Sequence, residues 1–298
     1  MEESIIHYSV CPVCGSDQIN HAITAKDYTV SQKEFEILEC AKCTLRFTQD
    51  VPDTNSIGAY YKSENYISHT NSSKGFINSI YHFVRKLTLG DKRRLIAAAT
   101  GLKNGKLLDI GAGTGAFVQN MQYNGWQTTG LEPDEETRKR AAVLHKVNLL
   151  PADVFYSFPA ESFNVVTMWH VLEHVHDLHN YIEKLKDVLK PGGLIFIAVP
   201  NYTSYDAKVY NKFWAAYDVP RHLYHFSPES VRQLFALHGL NVQSIRSMFY
   251  DSFYISLLSE KYKNGSSLRG FFTGLISNMK AFVNKEHCSS VIYIINRP

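Results

Sequence analysis

The sequence has no long apolar run and little net charge. A membrane-spanning helix needs about 18 or more consecutive apolar residues, and an export signal needs a basic segment followed by an apolar one. Neither pattern occurs in the 298 residues, so we expect a cytoplasmic protein without a transmembrane segment. The formal net charge is only +3, which excludes the strongly basic composition that nucleic-acid-binding proteins commonly have. A nucleic acid is therefore not the expected partner.

Cysteine is also scarce, but four of the five cysteines form two pairs. Cys11 and Cys14 make one C-x-x-C pair, and Cys40 and Cys43 make the other, with 25 residues between the pairs. Each pair places two thiolates on one turn, and two such pairs complete a tetrahedron around zinc. Disulfides are the alternative, which the absence of an export signal disfavours. The pattern predicts a zinc ribbon in residues 1–50, whose structural zinc has no open coordination position.

Apolar segments of strand length alternate with helical patterns through the rest of the chain. Hydrophobic residues make up 45% and charged residues 20% of the sequence, as in folded globular proteins. Strands are expected at 106–110, 128–131, 147–150, 163–169, 194–199, 242–249 and 291–295. Strands that alternate with helices predict a parallel sheet with helices on both faces. The predicted fold class is α/β, with a doubly wound, mostly parallel seven-stranded sheet in residues 102–298.

The most informative stretch is residues 106–117, KLLDIGAGTGAF. A buried strand that runs into a glycine turn and then a helix places backbone N–H groups against a ligand at the sheet edge. On the glycines alone, a dinucleotide such as NAD and S-adenosylmethionine are equal candidates. Asp109 favours the second, because a carboxylate would repel a pyrophosphate but suits an ammonium and a sulfonium. The candidate cofactor-binding residues of this loop are Asp109, Gly111, Ala112, Gly113 and Gly115.

An acid followed by G-x-G-x-G resembles the first motif of the class I S-adenosylmethionine-dependent methyltransferases, and the resemblance covers about half of the chain. It implies a Rossmann-like sheet that ends in an antiparallel hairpin. Glu132 follows the second strand, where a carboxylate can accept both ribose hydroxyls. The resemblance assigns the adenine amino group to an acid after the third strand, which is Asp153 here. Pro133, Val154 and Trp169 complete the candidate cofactor site.

Two groups of histidines border the expected acceptor pocket. His170 follows the fourth strand, and His222 and His225 lie in the loop after the fifth. Methyl transfer requires alignment of donor and acceptor and removal of the acceptor's proton, so these three are the candidate catalytic residues. In the alternative, His170, Glu173 and His174 bind a second metal with His222 or His225. Their H-x-x-E-H spacing resembles the E-x-x-E-H of small-RNA 2′-O-methyltransferases, which use magnesium, but a histidine in first place disfavours a hard ion.

Two further segments are expected to serve the acceptor. Residues 51–101 are predicted to form a polar connector and a helical segment that covers the substrate. Residues 251–287 exceed what a hairpin needs and read as an insertion before the last strand, with apolar residues along one helical face. Such a face could contact a membrane peripherally through residues 268–284, hold a lipid-like acceptor, or pack on the main domain or another subunit.

These features predict an enzyme that transfers a methyl group from S-adenosylmethionine to a small-molecule or a glycan- or lipid-linked acceptor, by O-, C- or N-methylation. One rival is an RNA methyltransferase that docks through the zinc ribbon, and it needs a continuous basic face that the sequence does not show. A second rival is an NAD-dependent oxidoreductase that uses the same glycines. A third is a cofactor-binding protein that has lost catalysis.

Overall fold

The computed structural model describes residues 4–61 and 76–298, with the side chains of residues 76–87 left out. Part of the predicted substrate-covering segment, residues 62–75, lies outside the described residues. The strands are β1 (Ile5–Ile6), β2 (Ile19–Lys26), β3 (Glu34–Cys40), β4 (Arg46–Thr48), β5 (Val51–Pro52), β6 (Lys106–Ile110), β7 (Gln127–Leu131), β8 (Phe163–Trp169), β9 (Leu189–Pro200), β10 (Tyr224–His225), β11 (Asn241–Ser247) and β12 (Ser290–Asn296). The α-helices are α1 (Phe76–Thr100), α2 (Ala116–Tyr123), α3 (Glu135–His145), α4 (Leu178–Val188), α5 (Tyr205–Tyr210), α6 (Pro228–Leu237), α7 (Phe249–Tyr262) and α8 (Ser267–Val283).

The central sheet has the strand order β11-β12-β9-β8-β6-β7. The pairs β9–β8, β8–β6 and β6–β7 are parallel, whereas β11–β12 and β12–β9 are antiparallel. The predicted mixed α/β fold and its antiparallel edge are confirmed. The expected strand at 147–150 is reduced to one parallel bridge between Leu131 and Leu150. Pro151 follows and starts a 3-10 turn, so the described sheet has six extended strands rather than seven.

Alternate residues of the central strands pack into two cores, one on each face of the sheet. Leu107 and Phe196 face a core that contains Phe117 of α2 and Ile96 of α1. Their neighbours face a second core, in which β6, β8 and β9 pack against α4 and α6 (Leu108, Val166, Ile195, Ile182, Leu185, Val231 and Leu234). Strands that are apolar on both faces are typical of a sheet covered by helices on both sides. The carboxyl ends of β6–β9 therefore meet at one edge.

The cysteine-containing module shares a sheet with the main domain. Its strands have the order β10-β4-β3-β2, and β10 lies in the loop between β9 and α6. Tyr224 pairs with Phe47, and His225 pairs with Arg46. Phe47 is also part of the core formed with α4 and α6. The ribbon is thus attached to the main domain by strand pairing as well as by apolar contacts, which the sequence patterns did not predict.

Candidate active site

A cavity of about 1850 Å³ lies at the carboxyl ends of the parallel strands. Its walls include the turn after β6, residues 132–134 after β7, and residues 169–171 after β8. The loop before β10, helix α7 and the middle of α1 line the other sides. Ligands of open α/β sheets bind at this edge, where strand order reverses. The position agrees with the site expected from the sequence.

The Glu132 carboxylate accepts hydrogen bonds from two backbone N–H groups, one of which belongs to the turn after β6. Gly113 donates its N–H to Oε2 of Glu132 over 2.9 Å, and Asp134 donates its N–H to Oε1 over 3.1 Å. Burial raises the pKa of Glu132. The carboxylate is therefore fixed at both oxygens beside the glycine turn, and it lines the cavity together with Pro133.

Two glycines of the turn are needed for close packing. Gly111 has φ +70°, and a Cβ there would lie 2.4 Å from Cγ2 of Val171. Gly115 has φ +78°, and a Cβ there would lie 2.3 Å from Cγ2 of Val147. Gly111, Ala112 and Gly113 line the cavity, but Gly115 does not. Gly115 therefore supports the turn from behind, and its predicted contact with a cofactor stays a prediction.

Asp109 lies beneath the turn, at the inner end of the cavity. Its side chain is buried, and Oδ1 accepts a hydrogen bond of 2.6 Å from Oγ1 of Thr167. Burial raises the pKa of Asp109 to about 7, although the Thr167 hydrogen bond acts in the opposite direction. A cationic ligand near this carboxyl would favour its ionised form.

The remaining cofactor candidates are divided between the cavity and the surface. Trp169 lines the cavity, and its ring contacts Phe117 edge-on with centroids 5.6 Å apart. Nζ of Lys92 lies 4.2 Å from the centroid of the Trp169 ring. Asp153 is exposed, and neither it nor Val154 lines the cavity, although the preceding Ala152 does. The structure therefore does not place the Asp153 carboxylate in the site.

His170 is held between two carboxylates. Its Nε2 lies 2.9 Å from Oδ2 of Asp251, and its Nδ1 lies 3.4 Å from Oε1 of Glu173. Burial alone would lower the pKa of His170, but the Asp251 hydrogen bond and the Glu173 carboxylate raise it to about 10. An imidazolium has no lone pair with which to accept a proton. At this raised pKa His170 is protonated near pH 7, a state that does not favour the role of general base, and that role stays a prediction.

Glu173, His174 and His222 form a compact group at the cavity wall. Each offers one metal-ligand atom, and the three atoms lie within 4.8 Å of one another. Nδ1 of His174 lies 2.9 Å from the Arg221 carbonyl oxygen, and Nδ1 of His222 lies 2.8 Å from the Ala216 carbonyl oxygen. A carbonyl only accepts, so both Nδ1 atoms carry hydrogen and both Nε2 atoms remain for another partner.

The charges of this group depend on its burial. Burial and the neighbouring His222 lower the pKa of His174 to about 4, so its ring is neutral at pH 7. Glu173 is fully buried, and neither of its oxygens meets hydrogen-bond geometry with another described residue. Burial would raise the pKa of Glu173, but His170 and His222 hold it below its usual value. The group is therefore an ionised carboxylate beside two imidazoles.

These contacts leave three of the five candidate ligands for a second metal. Glu173, His174 and His222 can hold an ion together, and two imidazoles with one carboxylate suit a transition metal better than magnesium. His170 instead bonds Asp251, and Nε2 of His225 lies 3.0 Å from Oγ1 of Thr48.

His225 does not line the cavity. It lies in β10, paired with Arg46 of the ribbon, and its side chain is buried. Burial lowers the pKa of His225 well below its ordinary value. Its side chain contacts Thr48 rather than the acceptor space, so the geometry does not favour the catalytic role, which stays a prediction.

The ribbon holds the loop that carries His222. Thr48 donates its hydroxyl to the His222 carbonyl over 2.8 Å, and its N–H to the Leu223 carbonyl over 2.9 Å. The buried Arg221 guanidinium contacts Asp218 in the same loop and Asp27 of the ribbon, 3.5 Å away. These bonds connect ribbon and loop at the cavity wall.

Asp251 and the ribbon contacts were missed by the sequence analysis. Asp251 lies 81 positions after His170, at the start of an insertion whose pattern signals only a helix. Arg221 and Asp218 stand beside His222 in the sequence, so charged residues flanking a histidine were the available signal. Their partner Asp27 had no such signal.

The four paired cysteines lie together, as predicted. The Sγ atoms of Cys11 and Cys43 are 3.5 Å apart, and those of Cys14 and Cys40 are also 3.5 Å apart. All four are free thiols rather than disulfides, and their sulfurs lie within 4.8 Å of one another. A zinc ion with Zn–S bonds of about 2.3 Å needs sulfurs roughly 3.8 Å apart in a tetrahedron. The donor set therefore fits zinc.

A strand–glycine turn–helix unit beside an acid-bearing second strand, in a mixed sheet with an antiparallel edge, defines the class I methyltransferase fold. Residues 82–245 match the family described as "Methyltransferase domain". The match covers more than half of the chain, so the chain belongs to this family.

Curated relatives and solved structures agree with this membership. The chain is 30% identical over 164 residues to the mitochondrial ubiquinone biosynthesis O-methyltransferase of Homo sapiens, which covers 50% of this chain and 44% of the relative. It is 26% identical over 167 residues to the ubiquinone biosynthesis O-methyltransferase of Rhizobium rhizogenes, covering 51% and 66%. The match thus spans about half the length of the first of these relatives. Magnesium protoporphyrin IX methyltransferase from Synechocystis PCC 6803, solved with bound SAH, aligns with a TM-score of 0.55 at 12% identity, over 83% of this chain and 100% of that one. That likeness shows the fold.

Proposed function

We propose that the protein transfers a methyl group from S-adenosylmethionine to a small-molecule or a glycan- or lipid-linked acceptor. One observation carries this proposal: the Glu132 carboxylate, fixed by the N–H groups of Gly113 and Asp134, faces the same cavity as the buried Asp109. Family membership supports methyl transfer over the oxidoreductase alternative. The relatives named above are ubiquinone biosynthesis O-methyltransferases, which favours an oxygen on a small molecule as the methyl acceptor.

In this proposal, the cofactor side of the cavity binds by charge and by hydrogen bonds. Glu132 accepts the ribose hydroxyls through lone pairs that the two backbone N–H groups leave unused. The buried Asp109 carboxylate attracts the positive charge of the cofactor, and this attraction is strong because little water screens it. Pro133 and Trp169 form apolar walls on either side. S-adenosylmethionine supplies a methyl group on a sulfonium, which leaves as a neutral thioether.

On the acceptor side, His222 is proposed as the base. Its Nδ1 is bonded to the Ala216 carbonyl, so Nε2 can take the proton that the acceptor loses when the methyl group is transferred. The imidazolium formed would be stabilised by Asp218, whose Oδ2 lies 4.0 Å from Nε2, and by Glu173. A base positioned in this way contributes on the order of a hundred- to ten-thousandfold to the rate. Protonated His170 keeps Glu173 and Asp251 in place.

We propose further that the four cysteines bind a structural zinc whose role is to support the acceptor side. The four thiolates would leave no coordination position for chemistry. The ribbon face that carries Thr48 is occupied by the His222 loop, which favours a supporting role over RNA docking. Tyr61 lines the cavity and its hydroxyl lies 2.9 Å from Nδ1 of His174. This contact supports a substrate-covering role for residues 51–101.

Titration calorimetry tests the cofactor assignment. We expect S-adenosylmethionine to bind and NADH not to bind. Glu132→Ala should weaken S-adenosylmethionine binding at least about tenfold, since each bond to a charged acceptor contributes roughly 1.5–3 kcal/mol. Glu136→Ala, at an exposed carboxylate on α3, is the matched control and should bind normally. Binding of NADH, or unchanged affinity in Glu132→Ala, would contradict the proposal.

A labelling experiment tests the acceptor class. The protein is incubated with methyl-labelled S-adenosylmethionine and separated lipid, small-metabolite and RNA fractions of a cell lysate. We expect label in the lipid or small-metabolite fraction, and His222→Gln should lower its incorporation about a hundredfold or more. Label in RNA would favour the docking alternative instead.

A further inference from the structure

Helix α8 exposes the side that an ordinary surface helix would bury. Its small and polar residues are buried against the rest of the protein, including α7 and α5 (Gly270, Thr273, Gly274, Ser277, Asn278 and Ala281). Its large apolar residues point outward (Leu268, Phe271, Phe272, Leu275, Ile276, Met279, Phe282 and Val283). Val283 is 90% exposed and Phe282 is 75% exposed. A contiguous apolar surface of this kind marks an interaction site.

The contact between α7 and α8 is packed as helices pack in a lipid environment. Gly270 and Gly274 form a G-x-x-x-G pair, and a Cβ at these positions would lie 3.1 Å from Cα of Leu257 and 3.0 Å from Cα of Phe253. Small residues allow this close approach and leave the large side chains on the outside. A polar pair between the helices is satisfied internally, since Ser252 donates to Oδ1 of Asn278 over 2.8 Å. No helix in the described ranges is long and apolar enough to cross a membrane.

The charged residues of the segment that carries this face are of one sign. Residues 261–285 contain no Asp or Glu and carry five basic residues, which are Lys261, Lys263, Arg269, Lys280 and Lys285. Arg269 is within 3.4 Å of the buried Glu260, whereas Lys261, Lys263 and Lys285 are on the exposed surface. Apolar residues flanked by basic ones are typical of helices that lie in the interface of an anionic bilayer. A two-fold contact between copies would instead bring these cations together.

The face is continuous with a wall of the cavity. Phe253 of α7 lines the cavity and stacks on Phe271 of α8, with centroids 5.4 Å apart. Lys261 also lines the cavity. We propose that α8 docks on an anionic lipid bilayer, with its apolar side chains among the acyl chains and its lysines at the headgroups. The cavity then opens beside the membrane, where a lipid-linked acceptor would enter; this last step rests on the proposed methyl transfer, but the docking does not.

Vesicle flotation of the full chain tests the docking. We expect binding to phosphatidylcholine vesicles with about 30% phosphatidylglycerol, and at least about tenfold weaker binding to phosphatidylcholine alone. The triple variant Phe272→Ser, Met279→Ser, Val283→Ser should lose at least about tenfold in affinity for the anionic vesicles. The double variant Val143→Ser, Leu237→Ser removes exposed apolar side chains from α3 and α6 and should bind as the unmodified protein does.

Two controls separate the outcomes. Thermal melts and S-adenosylmethionine calorimetry on the same variants show whether fold and cofactor site are intact. A triple variant that binds cofactor normally but not vesicles supports the docking, and absent cofactor binding in every variant would count against the proposed function alone. Equal vesicle binding by the triple variant, or no binding by the unmodified protein, would overturn the proposal. A dimer that the triple variant converts to a monomer, without vesicle binding, would assign the face to a second copy.

Discussion

The two sides of the cavity are built in different ways. On the cofactor side, Asp109, the glycine turn and Glu132 belong to one continuous unit of strand, turn, helix and strand. On the acceptor side, His170 contacts Asp251 from the α7–α8 insertion, and Glu173 lies near His222 from a later loop. Thr48 of the ribbon bonds the backbone of that loop. Local geometry is therefore sufficient for the first side, whereas the second depends on distant segments that are held by strand pairing with the ribbon and by buried ion pairs.

The largest expected effect comes from removing one thiolate. Cys40→Ser should unfold the ribbon, because structural zinc contributes roughly 10–16 kcal/mol to such small modules. The pairing of β4 with β10 would be lost with it, so amide hydrogen exchange in residues 218–226 should accelerate at least about a hundredfold. S-adenosylmethionine affinity should change by no more than about threefold, since the cofactor side is locally built.

Asp17→Asn, in the same ribbon at an exposed position, is the control and should leave exchange and zinc content unchanged. Metal analysis should find zinc in the unmodified protein and in the control. Cofactor affinity that falls together with loop protection would show that the two sides are not independent. A disulfide-bonded, metal-free ribbon would contradict the prediction that zinc holds the ribbon that supports the acceptor side.

A tenfold effect is expected from pH on the cofactor side. The pKa of Asp109 is raised to about 7 by burial, and the proposed cofactor binds the ionised form. The ionised fraction grows about tenfold between pH 6 and pH 8, so S-adenosylmethionine affinity should rise about tenfold over that range. Asp109→Asn should bind more weakly and lose most of this dependence. Calorimetry at constant ionic strength checks both statements, and a flat profile for the unmodified protein would contradict the assignment.

The same contrast explains what could be predicted from the sequence. The strand, the glycine turn and Glu132 are close together both in the sequence and in the structure, so pattern and charge were enough to place them. The two C-x-x-C pairs were predictable for a different reason, because the chemistry of a four-thiolate zinc site requires two such pairs to meet. The predicted seventh strand at 147–150 is not extended. Pro151 follows it and starts a 3-10 turn, so only a single bridge forms at Leu150.

The acceptor side was only partly predictable. Sequence reasoning found that histidines gather there, but the state of each one depends on partners far along the chain. Asp251 and Glu173 raise the pKa of His170, and His225 pairs with β4 outside the cavity lining. A histidine pattern carries no information on either contact. Asp153 is a different case, because its assignment came from resemblance and its exposed carboxylate does not line the cavity.

The smallest expected effect lies at a close contact between the two sides. Gly111 on the cofactor turn lies against Val171, which follows His170, whereas Gly113 has a similar left-handed backbone and open space around its Cβ position. Alanine at either position incurs the left-handed backbone cost of roughly 1–2 kcal/mol. Gly111→Ala adds an overlap with Cγ2 of Val171, which costs about 1 kcal/mol more because this half-buried side chain can shift.

A double-mutant cycle isolates that extra cost. Combining Gly111→Ala with Val171→Ala removes the overlapping methyl group, so the pair should recover about 1 kcal/mol of unfolding free energy relative to the sum of the single variants. Gly113→Ala with Val171→Ala is the matched control and should be additive, because no methyl group meets there. Urea denaturation of the six proteins measures both cycles. A change in the amide hydrogen exchange of residues 170–174 in Gly111→Ala, but not in Gly113→Ala, would show that this contact couples the cofactor side to the acceptor side. Additivity in both cycles would mean that the turn adapts without moving Val171, and that the two sides remain mechanically separate.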